Sequence, residues 1–190
     1  MSVTGYLSTK FCEVSRKSEP GNPHGWNSRE NYFQVHTHRM QVLYDEGFVL
    51  DDGLSVSRLR FDSLVFKGRV RCLHGLFIDV EKFLAIREIG GRIEVRTTTY
   101  SYHAGIEGSQ DRPIFRYDNF HPYSREGHSD PHHKHVFDPK TWSEVSPPEW
   151  IGEEQWPYLS DAIEELRLWW KTIGRYLDLA VDATTDDRIT

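Results

Sequence analysis

Histidine is concentrated in one stretch of this chain, where it could do chemistry. Of ten histidines, six fall between residues 103 and 135: His103, His121, His128, His132, His133 and His135. Tyr100, Tyr102, Arg116, Tyr117, Asp118, Asn119, Tyr123 and Lys134 stand among them. An imidazole titrates near neutrality and can take or give a proton. A guanidinium offers bidentate donors to phosphate oxygens, and tyrosine rings can stack on the bases of single-stranded RNA. These residue types suit metal-free cleavage of a phosphodiester. One group takes the 2′-hydroxyl proton, a second protonates the leaving 5′-oxygen, and a cation steadies the charged phosphorane. In this reading His132 or His135 is the base or acid, and Arg116 clamps the phosphate. Asp118 holds a histidine in one tautomer, and Tyr102 or Tyr117 stacks a base or donates a hydrogen bond.

Two other readings fit the same residues. His128-x3-His132 and His133-x-His135 have spacings found in metal sites, and Asp118 or Asp130 could complete four ligands. A metal-binding or protein-binding module that blocks a target without catalysis therefore stays open beside the enzyme. The third reading is structural: solvated histidines in a proline-rich loop, with Arg116 and Asp118 paired along one strand face. His24, His36 and His38 read as incidental, and the tryptophans near the C-terminus read as packing.

Strands must position such a cluster. Residues 54–61, 64–66, 69–73 and 76–80 are short runs rich in β-branched and aromatic residues, several alternating apolar with polar. Turns are expected at Lys67-Gly68, His74-Gly75 and Gly90-Gly91. A long strand over 92–103 and another over 114–118 would bring Tyr102–His103 and Arg116–Asn119 to one sheet edge. The first 35 residues and 119–157 read as irregular, both rich in turn residues. Phe33, Val35, Met40, Val42 and Tyr44 fit a strand or short helix ahead of Asp45. One long helix is expected after Pro157, capped by Ser160 or Asp161, with Ile163, Leu166, Trp170, Ile173 and Leu177 on one stripe. The fold expected is α+β, an antiparallel β meander backed by a long C-terminal helix. Its parts are an N-terminal extension (1–50), the main domain (51–181) and a frayed tail (182–190).

Composition narrows the rest. At 190 residues, 37% apolar and 27% charged, the chain suits one globular domain rather than a disordered or fibrous one. The net charge of −6 is concentrated in the last quarter, so no broad cationic surface for duplex DNA is expected. No apolar run spans a membrane and no secretory signal is present, so a cytoplasmic protein is expected. The two cysteines, Cys12 and Cys72, read as reduced thiols. GxGxxG, Walker A, GxSxG and HExxH motifs are all missing, and no cofactor is expected.

The segments YSYHAG (100–105), IFRYDN (114–119) and PHHKHV (131–136) resemble, in that order, the TumE-like toxins of bacterial toxin–antitoxin modules. The similarity runs over about residues 54–180. The resemblance implies a toxin neutralised by a cognate antitoxin that binds DNA, and ribonuclease activity on an RNA substrate. It places function at His103, Arg116, Asp118, Asn119, His132, His133 and His135. Lys134 and the two tyrosines join as substrate contacts. Self-association into a homo-oligomer is left open.

Overall fold

The computed structural model describes residues 25–108, 110–120, 132–152 and 155–177. A nine-stranded antiparallel sheet forms its frame. In chain order the strands are β1 (Asn27–Ser28), β2 (Val49–Asp52), β3 (Ser55–Arg60), β4 (Ser63–Cys72), β5 (Leu76–Ile89), β6 (Arg92–Ile106), β7 (Arg112–Asp118), β8 (His133–Phe137) and β9 (Glu144–Trp150). From β4 to β9 each strand pairs with the next, the expected meander. β2 and β3 both pair with β4, and β1 pairs with β6. Helices α1 (Arg29–Asp45) and α2 (Leu159–Thr172) supply buried residues to the same core.

The long β5–β6 hairpin is closed by Gly90-Gly91, both at positive φ (59° and 75°), between the paired residues Ile89 and Arg92. Two successive left-handed residues match the twist of the flanking strands, which is why glycine occupies both positions. Lys67-Gly68 is not the expected turn. It lies inside β4, where Gly68 has φ 151° and its Cα faces the Gly53 backbone so closely that an added Cβ would sit 2.2 Å from the Gly53 carbonyl oxygen. The glycine is there for close approach between chains, not for a reversal.

Ahead of Asp45 the short-helix alternative holds, though the helix begins within the first 35 residues expected to be irregular, and two further expectations are corrected. The front of the chain is helical from Arg29, its start capped by the Ser28 hydroxyl, which accepts the Asn31 N–H at 3.1 Å. Met40 and Leu43, three apart, are its buried anchors. That spacing is helical, and the alternation at 33, 35, 40, 42 and 44 only imitates a strand. Within 119–157, β8 and β9 are regular strands. Pro147 and Pro148 argued against β9, but β9 is an edge strand and both prolines fall in the register shift between Val145 and Glu149, where no ladder pair forms. Finally, α2 begins at Leu159, with the Asp161 carboxylate accepting the Tyr158 N–H at 2.9 Å. It stops at Thr172, so Leu177 lies beyond it and Ile173 is 40% exposed. The residues 1–24 and the tail 182–190 lie outside the described residues.

The core lies between the two helices and one face of the sheet. Leu159, Ala162, Ile163 and Leu166 of α2 join Met40 and Leu43 of α1 against Val70, Ile78, Val80, Tyr100, Tyr102 and Ala104. Cys72 is buried here, and burial pushes its thiol up to about 12, so it is an inert packing group. Among the described residues no helix is long and apolar enough to cross a membrane.

Replacing Gly68 by Ala sets a methyl against backbone that cannot swing aside. Chemical denaturation of Gly68→Ala should show a loss of about 3 kcal/mol. A loss under about 1 kcal/mol would mean that β2 and β3 shift freely around this contact.

Candidate functional site

Register alone builds a polar row across five strands. Directly opposite one another stand Arg69 and Asp79, Asp79 and His103, His103 and Arg116, Arg116 and His135. Residues opposite in adjacent strands point to the same face, with side chains about 5 Å apart. A second row runs beside the first through Ser101, Asp118, His133 and Trp150. The two rows share the sheet face that α1 and α2 do not cover. Alternation sends Val80, Tyr102, Tyr117 and Lys134 to the helix-covered face.

The Asp118 carboxylate joins the rows. Its side chain is 4% exposed; Oδ1 lies 3.0 Å from His133 Nε2, and Oδ2 accepts from Arg116 Nε at 2.6 Å. Arg116 keeps both Nη groups without a protein acceptor among the described residues and is 36% exposed, so two donors remain for an anion from solvent. The His135 Nδ1–H donates to Glu144 Oε1 at 2.5 Å. Its Nε2 is buried, makes no hydrogen bond among the described residues and lies 3.9 Å from Asp118 Oδ2. A carboxylate on one ring nitrogen fixes the tautomer and leaves the other nitrogen to do the chemistry. Asp118, His133 and His135 together offer ligand atoms all within 4.8 Å of one another, the donor set of a two-histidine, one-carboxylate metal site.

The remaining expected site residues lie elsewhere. Tyr117 Oη donates to Glu165 Oε2 at 2.5 Å, and Lys134 Nζ pairs with Glu165 Oε1 at 2.6 Å, tying β7 and β8 to α2. Tyr102 is buried in the core. His132 is buried, with its ring stacked on Tyr100 (centroids 5.7 Å apart) and close to Trp156. Asn119 clasps the middle of β6, accepting from the Tyr100 N–H at 2.8 Å and donating to the Thr98 carbonyl. His121, Tyr123, His128 and Asp130 lie outside the described residues. Sequence reasoning missed Glu144, and also Asp79, Glu107 and Asp111, which surround Arg69 and neutralise it. The alternation of His133, His135 and Phe137 was the one available sign of a strand that needed a partner such as β9.

Burial and neighbouring charges act on His103 and on Asp118. Burial lowers His103, and the charges of Arg116 and Arg69 add to this against Asp79, so His103 is neutral at physiological pH. For Asp118, burial works upward but is outweighed by the His133 hydrogen bond and charge and by Arg116, which bring it down to about 2. A carboxyl depressed below its ordinary value stabilises the fold while ionised. That contribution is complete above about pH 5 and fades as pH falls toward 2. It amounts to about 2 kcal/mol at neutral pH. Asp118→Asn should therefore lose about that much at pH 7 in denaturant unfolding and should converge on the parent stability near pH 2. A constant difference across that range would remove Asp118 as the ionised centre of the cluster.

A family model described as Toxin TumE matches residues 39–173. No curated protein and no solved structure matches the chain.

Proposed function

The chain belongs to the TumE toxin family, and from that membership we propose that it is an endoribonuclease whose acid–base groups are His103 and His135, with Arg116 between them. The observation that carries this reading is the register His103–Arg116–His135, which sets a guanidinium with free donors between two imidazoles on adjacent strands. A phosphodiester seated on the Arg116 Nη groups would have one ring on either side. The neutral His103 accepts the 2′-hydroxyl proton as O2′ attacks phosphorus. His135, oriented by Glu144, gives a proton to the 5′-oxygen as the P–O5′ bond breaks. The products are a 2′,3′-cyclic phosphate and a free 5′-hydroxyl. Asp118 positions Arg116 and His133. In this reading the toxin acts on cytoplasmic RNA and is held in check by a cognate antitoxin that also binds DNA.

A second reading is favoured by the ligand geometry of Asp118, His133 and His135. There the cluster holds a transition-metal ion, and the chain blocks its target as a metal-bearing module without cleaving RNA. His135 Nε2, buried and without a hydrogen bond, would serve as a ligand rather than as a proton donor.

The purified chain, free of its partner, should cut RNA in excess EDTA. Arg116→Ala should slow cleavage about 10²–10³-fold, the usual loss for one transition-state donor. His135→Ala should cost about 10²–10⁴-fold, with circular dichroism reporting an intact fold in both. RNA left whole by the parent chain, in EDTA and in added zinc or manganese alike, sinks the nuclease. Cleavage that appears only with added metal overturns the metal-free mechanism, whereas uncut RNA with stoichiometric metal binding supports the second reading.

A further inference from the structure

On the opposite, helix-covered face lies a cavity of about 70 Å³ between α1, β5–β6 and the start of α2. It is several times the room one water needs. Its wall carries basic groups that nothing described so far uses. Lys82 is 7% exposed and forms no ion pair or hydrogen bond among the described residues, and its Nζ lies 5.3 Å from the Tyr102 ring centroid. Arg39 rests its guanidinium 3.8 Å over the Tyr158 ring, and its Nη1 is buried without an acceptor. The Tyr32 and Thr97 hydroxyls, 2.8 Å apart, lie on the same wall. Leu159 and Ser160, the first turn of the fourteen-residue α2, close the cavity with the positive end of a helix dipole.

Buried cations are ordinarily paired, because taking an unpaired charge out of water costs several kcal/mol. Here the buried Lys82 and the half-buried Arg39 share one cavity, and among the described residues no carboxylate is bonded to either. The groups register this potential. Burial, and then the Arg39 charge, lower Lys82 to about 8. Burial and the Lys82 charge hold His36, on the same wall, down to about 4 despite an opposing pull from Asp52. Asp161 acts on Tyr102, and no hydrogen bond or ion pair joins it to Lys82 or Arg39 among the described residues.

We propose that this cavity is an oxyanion site, in which Lys82 and the Arg39 Nη1 grip a phosphate or carboxylate group. The aromatic walls of Tyr32, Tyr102 and Tyr158 leave space for an apolar or planar body attached to it. The site is separate from the His103–Arg116–His135 row, on the other side of the sheet, and does not depend on any nuclease activity.

Inorganic phosphate, acetate and adenosine 5′-monophosphate, titrated separately into the full chain at constant ionic strength, test this by calorimetry and thermal unfolding. At least one should bind saturably and raise Tm, and which one does so distinguishes free ion from ester and phosphate from carboxylate. Lys82→Met should fold, melt higher than the parent without anion because a buried ammonium is gone, and lose at least tenfold in anion affinity. Arg39→Gln should lose a similar factor and keeps the test informative if the first variant misfolds. Absence of saturable binding by all three anions, or equal binding by parent and both variants, overturns the site.

Discussion

A carboxylate taken out of water must keep its partners, and the polar half of this molecule is arranged around that requirement. Asp118 sits on β7 between an imidazole from β8 and a guanidinium from its own strand, two residues back. Sliding β8 by one residue would turn His133 and His135 to the other face and leave the charge stranded, a far larger penalty than one lost backbone bond. The ion cluster therefore does two jobs. It aims Arg116, whose outer nitrogens stay available, and it selects the pairing of β7 with β8 on which the whole row depends.

The sheet separates two kinds of polar chemistry by its two-residue alternation. On one face, charged and titratable groups form two rows that the helices do not cover. On the other, Tyr117 and Lys134 converge on Glu165, so the same strands are bolted to α2. Tying the strands to a helix holds the backbone beneath the titratable row in place. Here the backing and the reactive row use neighbouring residues: Arg116 and Asp118 face outward, Tyr117 inward.

That same alternation explains what could be read in advance. YSYHAG and IFRYDN announced two strands, and their neighbours His103 and Arg116 do stand opposite one another. Tyr102, Tyr117 and Lys134 are as close in sequence but odd-even parity sends them into the helix-covered side; proximity along a chain says nothing about face unless the period is applied. His132 went astray for the same reason, one residue out of step with His133. Glu144 could not be found, because its role arises from a strand interrupted by two prolines, and α1 was obscured by an apolar pattern that fits two periods equally badly. Asx- and proline-rich composition signals irregular backbone, but an edge strand tolerates it.

The paired prolines of β9 carry a consequence beyond the fold. At Pro147 and Pro148 the outermost strand has two adjacent residues without a backbone hydrogen, one of which falls on the free edge. A stray extended peptide arriving there meets a gap in the ladder, so the sheet is terminated next to its reactive groups and cannot seed edge-to-edge stacking from that flank.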